Sequence, residues 1–210
     1  MGNNNDIQRY TRWDRQHHGL IAISFILAAI SGLALFYPAF FSLSYLLGGP
    51  TWARILHPFI GVALFGLFFW AARYLYRHNR ITDADRQWLK RLPDVLRNRS
   101  EGLPEVGKYN AGQKVLFWSQ VYGIAIVFVT GILMWQPWFA PFFPVGLIRL
   151  ASLLHALAAF VLIAGLIVHV YAAIWVKGTL RAMTRGTVTQ AWAKTHHPGW
   201  YRSVVSKSVK

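Results

Sequence analysis

The sequence predicts an all-α membrane protein, a transmembrane four-helix bundle with both termini cytoplasmic. Three observations carry that fold class. Four apolar runs each meet the ~20 residues of helix needed to cross ~30 Å of hydrocarbon. Only 14% of the 210 residues are charged, well under the ~25% of soluble domains. The basic residues are also segregated: of 22 Lys and Arg, twenty fall on one side of a four-span topology.

In chain order, residues 1–18 are polar and basic. No signal peptide is visible, and the apolar run behind them is long enough to stay as a spanning helix. The first span covers about 19–37, "GLIAISFILAAISGLALFY". A short apolar connection, "PAFFSLSYLLGGPTW", leads towards the second span at about 57–76, "HPFIGVALFGLFFWAARYLY". A loop of about 77–114 precedes the third span at about 115–135, "VLFWSQVYGIAIVFVTGILMW". The connection "QPWFAPFFPVGL" leads to the fourth at about 147–176, and a polar tail runs from 177 to 210. The two apolar connections suit the membrane interface or a partner's surface. Trp and Tyr gather at the span ends (Tyr37, Trp52, Tyr74, Trp118, Trp135, Trp138, Trp175), as interfacial belts do. The chain reads as a single integral-membrane domain over 1–210, with no convincing internal repeat.

Orientation follows from the charges. The arm holds Arg9, Arg12 and Arg15, the stretch from Arg73 to Lys114 holds ten Lys and Arg, and the tail from Lys177 holds seven. The opposite connections hold Arg54 and Arg149 alone. The positive-inside rule puts both termini and the 77–114 loop in the cytoplasm. Net charge is +15, which would suit nucleic acid. The basic residues flank apolar runs instead of forming one compact patch, so the membrane accounts for them and no nucleic-acid partner is expected. The chain has no cysteine, which excludes disulfides, thiolate-held iron–sulfur clusters and covalent c-type haem.

The eight histidines divide by environment. His78, His196 and His197 lie in basic cytoplasmic segments and read as solvated or partner-facing surface. His17, His18, His57, His155 and His169 lie in or beside spans, where ionisable side chains are costly and functional. His155 and His169 are fourteen positions apart. That places them within ~40° on one helix face and ~21 Å apart along the axis. Two sites fit that spacing; one metal does not. Chain direction then pairs His57 with His155 near the outer surface and His18 with His169 near the cytoplasmic one. An apolar bundle with two stacked bis-histidine sites is a home for two b-type haems. Adjacent helix residues point ~100° apart, so only one of His17 and His18 faces the bundle, and geometry leaves that choice open. Gly32, Gly61, Gly66, Gly123, Gly131 and Gly165 lie inside spans, where they admit a flat macrocycle or ordinary close helix packing. Pro58 is expected to mark the start of the second helix. Arg54 is placed to pair with a haem propionate or to snorkel.

These residues resemble the cytochrome b (gamma) subunit of membrane-bound respiratory formate dehydrogenases over nearly the whole chain. The specific blocks are "ARILHPF", "VGKYNAGQK", "VTGILMW", "LLHA", "IVHVY", "WVKGT" and "AWAKTHHPGWYR". The resemblance implies four haem-ligating histidines, His18, His57, His155 and His169, and so selects His18 over His17. It implies a multi-pass electron-transfer subunit of the bacterial inner membrane, which does not itself oxidise formate. A partner with a molybdenum- or tungsten-pterin does that chemistry, and an iron–sulfur partner delivers electrons to the outer haem. Quinone is reduced near the cytoplasmic face. Related complexes can be trimers of the three-subunit unit.

The loop "EVGKYNAGQK" has two readings. Composition makes it a helix start with Asn110 as N-cap. The resemblance makes Asn110, Gly112 and Gln113 part of the quinone site, with His169 nearby. Two other functions compete for the whole chain: the cytochrome b of a membrane-bound hydrogenase, and a histidine-based metal-ion transporter. The transporter lacks support, because no span carries a carboxylate and the histidines pair at two depths instead of forming a path.

Overall fold

The structure, a computed structural model, describes residues 6–97, 99 and 102–208. In chain order it contains β1 (Asp6–Gln8), α1 (Arg12–Phe36), a 3-10 helix over Pro38–Leu47, α2 (Pro50–Leu75) and a 3-10 turn over Tyr76–Asn79. Then come α3 (Asp83–Lys90), α4 (Leu92–Leu96), α5 (Ala111–Met134) and a 3-10 turn over Ala140–Phe142. The chain ends with α6 (Val145–Trp175), α7 (Thr179–Arg185), β2 (Thr187–Thr189), α8 (Gln190–His196) and α9 (Pro198–Ser208). Among the described residues, α1, α2, α5 and α6 are long and apolar enough to cross a membrane, matching the four spans expected.

Helix starts follow cap chemistry more closely than hydropathy. At α1 the Asp14 N–H donates to Thr11 Oγ1 (3.1 Å) and the Thr11 N–H donates to Asp14 Oδ2 (2.9 Å). This reciprocal pair satisfies orphan donors and starts the helix inside the polar arm. At α2 the first residue is Pro50, whose missing N–H costs nothing there. The helix therefore begins seven residues before His57. Pro58 lies in its interior and does not mark its start. Having no N–H, Pro58 leaves the Arg54 carbonyl without its helical donor. The Arg54 side chain is exposed.

Two compact units form, each discontinuous in sequence. One gathers the arm up to Arg15, Tyr74–Trp118, and the chain from His169 onward. These are the stretches that the charge count assigns to one side. β1 and β2 pair antiparallel, Ile7 opposite Val188, so the N-terminal arm is tied to the tail. Ala182, Val188 and Ala193 form the buried cluster, packed by Ile7, Tyr10, Trp192, Trp200 and Tyr201. Arg9 is 6% exposed. It donates to the Lys108 carbonyl (2.7 Å) and to His197 Nε2 (3.2 Å), and its guanidinium lies 4.9 Å from the Trp200 ring centre. His197 Nδ1 donates in turn to the Gly107 carbonyl (2.8 Å). His197 is thus buried, 3% exposed, in contrast to the surface position read from the sequence; His78 and His196 are exposed as expected. The reason lies in the tail's docking on the 106–108 loop, which composition does not reveal.

The other unit comprises Gln16–Arg73 and Ser119–Val168. Its core takes one residue from each long helix: Phe25, Leu64, Ile124 and Leu162. Phe65 of α2 stacks on Phe128 of α5, ring centres 3.9 Å apart. Most large apolar side chains point outward, Phe160 being 71% exposed, which suits a surface solvated by lipid. Gly123 admits the closest approach: a Cβ there would lie 2.6 Å from Leu162 Cδ2 and 2.9 Å from its Cγ.

Replacing Gly123 with Ala is therefore expected to destabilise the bundle by about 1–3 kcal/mol through overpacking. The unfolding midpoint in detergent measures it, and adding Leu162→Ala should recover part of the loss. A second expectation concerns pH. Burial first, then the Arg9 cation, lowers the His197 pKa from 6.5 to about 4. The neutral ring's contribution is complete above pH 6.5 and is lost as pH falls towards 4. Hydrogen exchange of the 192–200 peptide, corrected for intrinsic rates, should rise over that window, and His197→Gln should flatten the rise.

Candidate functional site

Two imidazoles meet inside the four-helix unit. His57 comes from α2 and His155 from α6, with ring centres 6.2 Å apart and planes at 66°. Each ring is held from behind by a hydroxyl on a neighbouring helix. Ser31 Oγ of α1 lies 2.8 Å from His57 Nδ1. Thr130 Oγ1 of α5 lies 3.0 Å from His155 Nδ1. Both hydroxyls are buried, Ser31 at 0% and Thr130 at 6% exposure. The residue after each hydroxyl is glycine, and both glycines face a ring. A Cβ at Gly32 would sit 3.2 Å from His57 Cε1, and one at Gly131 would sit 3.4 Å from His155 Cε1. With Nδ1 engaged, Nε2 is the nitrogen each ring keeps for a ligand.

The spacing suits a metal between the rings. Imidazole nitrogens bind first-row metals at about 2.0–2.1 Å, so two opposed rings on one ion have centres on the order of 6 Å apart. The donor chemistry fits as well, since neutral imidazole is an axial ligand of haem iron. Among the described residues no three His, Asp or Glu side chains gather as an all-protein metal site would.

Both halves of this arrangement share one pattern. Phe25 stands six residues before Ser31, and Ile124 six before Thr130. Leu64 stands seven after His57, and Leu162 seven after His155. The α1–α2 and α5–α6 hairpins therefore carry the same core residue, hydroxyl–glycine and histidine positions. Sequence reading found no repeat, because only these few positions match. It also missed Ser31 and Thr130. The signal was the Ser–Gly and Thr–Gly dipeptides in two apolar helices, where a buried hydroxyl needs a partner.

The other candidate residues are placed as follows. His17 makes a 2.9 Å hydrogen bond from Nε2 to the Leu67 carbonyl of α2. His18, the next residue on α1, is exposed, and so is His169 near the end of α6. Asn110 and Gln113 form a capping box at the start of α5: the Gln113 N–H donates to Asn110 Oδ1 (2.8 Å) and the Asn110 N–H to Gln113 Oε1 (2.9 Å). The helix-start reading of the loop is thus realised. The box occupies the two amide oxygens and none of the amide nitrogens. Gly112 packs beside Trp88, where a Cβ would lie 3.6 Å from the indole. Lys114 reaches from the same turn to Asp85 Oδ2 (2.7 Å). Burial works to raise the Asp85 pKa, but hydrogen bonds from Lys114 and Thr82 outweigh it and hold the carboxyl below its ordinary value.

Comparison with known proteins identifies the family. Residues 9–186 match the family model described as prokaryotic cytochrome b561. The chain is 45% identical to the formate dehydrogenase cytochrome b556(fdo) subunit of Escherichia coli K12, over 100% of this chain and 99% of that one. It is 41% identical to the nitrate-inducible formate dehydrogenase cytochrome b556(Fdn) subunit of the same strain, over 94% and 91% of the two chains. Identity to the formate dehydrogenase cytochrome b556 subunit of Haemophilus influenzae Rd is 40%, over 100% and 88%. On these matches the chain belongs to the prokaryotic cytochrome b561 family, among the formate dehydrogenase cytochrome b556 subunits.

Proposed function

We propose that this chain is the electron-transfer subunit of a respiratory formate dehydrogenase, conducting electrons through two b-type haems across the bacterial inner membrane to a quinone. The observation that carries the proposal is the opposed pair of His57 and His155 at 6.2 Å. When bound, each haem supplies a reversible one-electron centre. His57 and His155 hold the outer one, and His18 and His169 the inner one. The hydrogen bond from His17 to the α2 backbone supports His18 as ligand, because residues adjacent on a helix point ~100° apart and His17 is already engaged. The fourteen-residue interval supports His169, which lies on the face of α6 that bears His155.

The absence of cysteine from the sequence means that iron–sulfur clusters belong to a partner subunit. Formate is oxidised in a further subunit with a molybdenum- or tungsten-pterin, on the outer side. With twenty of 22 basic residues on one side, both termini are cytoplasmic. Quinone reduction near that face would take electrons inward across the membrane and protons from the cytoplasm, so the transfer is electrogenic. Moving one charge against 100 mV costs ~2.3 kcal/mol, which formate oxidation supplies.

For the quinone, the amide nitrogens of Asn110 and Gln113 are donors that their capping box does not use, beside Gly112 at the cytoplasmic start of α5. Burial first, then Tyr10, pushes the neighbouring Tyr109 phenol well above its ordinary pKa. That phenol stays protonated and is not a proton carrier.

Pyridine haemochrome analysis of the purified chain tests the proposal: about two b haems per polypeptide are expected. His57→Ala and His155→Ala should each bring the content to about one by losing the same haem, with His18→Ala and His169→Ala losing the other. A haem-free chain would rule out the reading. For the quinone, Asn110→Ser keeps an N-cap and removes the amide donor. Quinone reduction in the assembled complex should slow on the order of tenfold, about 1.4 kcal/mol, while the unfolding midpoint hardly moves. An unchanged rate would remove Asn110 from the quinone site.

A further inference from the structure

The hydroxyls behind the two imidazoles have their protons committed elsewhere. Ser31 Oγ lies 2.7 Å from the Leu27 carbonyl oxygen and 3.1 Å from that of Ala28. Thr130 Oγ1 lies 2.6 Å from the Ile126 carbonyl oxygen and 3.3 Å from that of Val127. Two oxygens this close repel unless a hydrogen lies between them, so each hydroxyl donates its proton to its own helix, four residues back. A hydroxyl has one proton and two lone pairs. Towards the imidazole, Ser31 and Thr130 can therefore only accept. His57 and His155 must both donate from Nδ1, which leaves the lone pair on Nε2.

We propose that Ser31 and Thr130 are positioning residues that lock His57 and His155 as Nδ1–H tautomers and make Nε2 of each a stronger electron donor to iron. The inference rests on the reading of these histidines as haem ligands. An acceptor on the far nitrogen of a ligating imidazole raises the ligand's basicity. A more basic axial pair favours ferric over ferrous iron, so the two hydroxyls together lower the reduction potential of the outer haem. The glycines that follow them leave room for the rings: a Cβ at Gly32 would crowd His57 Cε1 at 3.2 Å, and one at Gly131 would reach contact with His155 Cε1 at 3.4 Å. The two supports are equivalent, so each hydroxyl should act through its own ring and the effects should add.

Potentiometric titration of the haem absorbance in the purified full chain tests this, on Ser31→Ala, Thr130→Val, their combination, and Thr130→Ser. Haem content should stay at the wild-type value. The potential of one haem, the one removed by His57→Ala, should rise in Ser31→Ala and in Thr130→Val, and rise further in the double variant. A shift on the order of tenfold in the ferric-to-ferrous ratio is ~59 mV for one electron. Its low-spin ferric resonance signals should move with it. Thr130→Ser, which keeps the hydroxyl, should retain the wild-type potential. Loss of that haem in Thr130→Val with retention in Thr130→Ser would also support the assignment. Unchanged potentials in variants that keep both haems would overturn it, as would equal shifts in Thr130→Val and Thr130→Ser, or a shift confined to the other haem. A wild-type chain without haem would instead refute the underlying haem reading.

Discussion

Hydrocarbon offers no hydrogen bond to a buried polar group, so every imidazole placed there must be answered by protein. That constraint organises the membrane unit. His57 and His155 each require an acceptor, and the helix beside each one supplies a hydroxyl that has already spent its proton on its own backbone. The residue after each hydroxyl is glycine, and each glycine faces the ring that its hydroxyl touches. The core below the rings, from Phe25 to Leu162, is correspondingly small. The closest helix contact lies in that core, at Gly123 against Leu162, and the outward faces are left to lipid.

The other unit solves a different problem. It gathers three distant stretches rich in cations, which repel one another. Arg9 is the centre of the solution. Its guanidinium reaches a backbone carbonyl, a neutral imidazole and aromatic faces, all of which accept a cation without adding charge. Lys114 meets Asp85, and Arg181 and Arg202 meet Asp6 and Glu105. Asp6, Asp85 and Glu105 thus join distant segments, while Asp14, Asp83 and Asp94 pair with residues three positions away. The capping box of Asn110 and Gln113 belongs to this unit, and its position is set by the same contacts that seat the tail.

Hydropathy made the four spans legible. It is a property of a single helix, which sequence encodes directly. What escaped depends on pairs of segments. The start of α2 lies at Pro50 because that residue suits a first turn, while the apolar run that marks the span begins later. His197 sits in a basic stretch and looks solvated until the 106–108 loop covers it. Ser31 and Thr130 are ordinary small helix residues in isolation, and their meaning appears only when a ring is opposite. The capping box is the intermediate case: Asn110 and Gln113 are three apart, a local spacing that can be read as a helix start without any tertiary knowledge.

The matching hairpins share nearly one offset. Ninety-nine positions separate Ser31 from Thr130, and ninety-eight separate His57 from His155. Two copies of a single hairpin would therefore carry every side chain that the His57 and His155 pair uses. Moved by the same offsets, His18 falls on Phe117 and His169 on Ala71, neither able to bind a metal. The proposed inner pair thus has no counterpart and depends on the two halves having different sequences. A symmetric dimer of such hairpins would repeat the positions of His57 and His155 but would hold neither His18 nor His169.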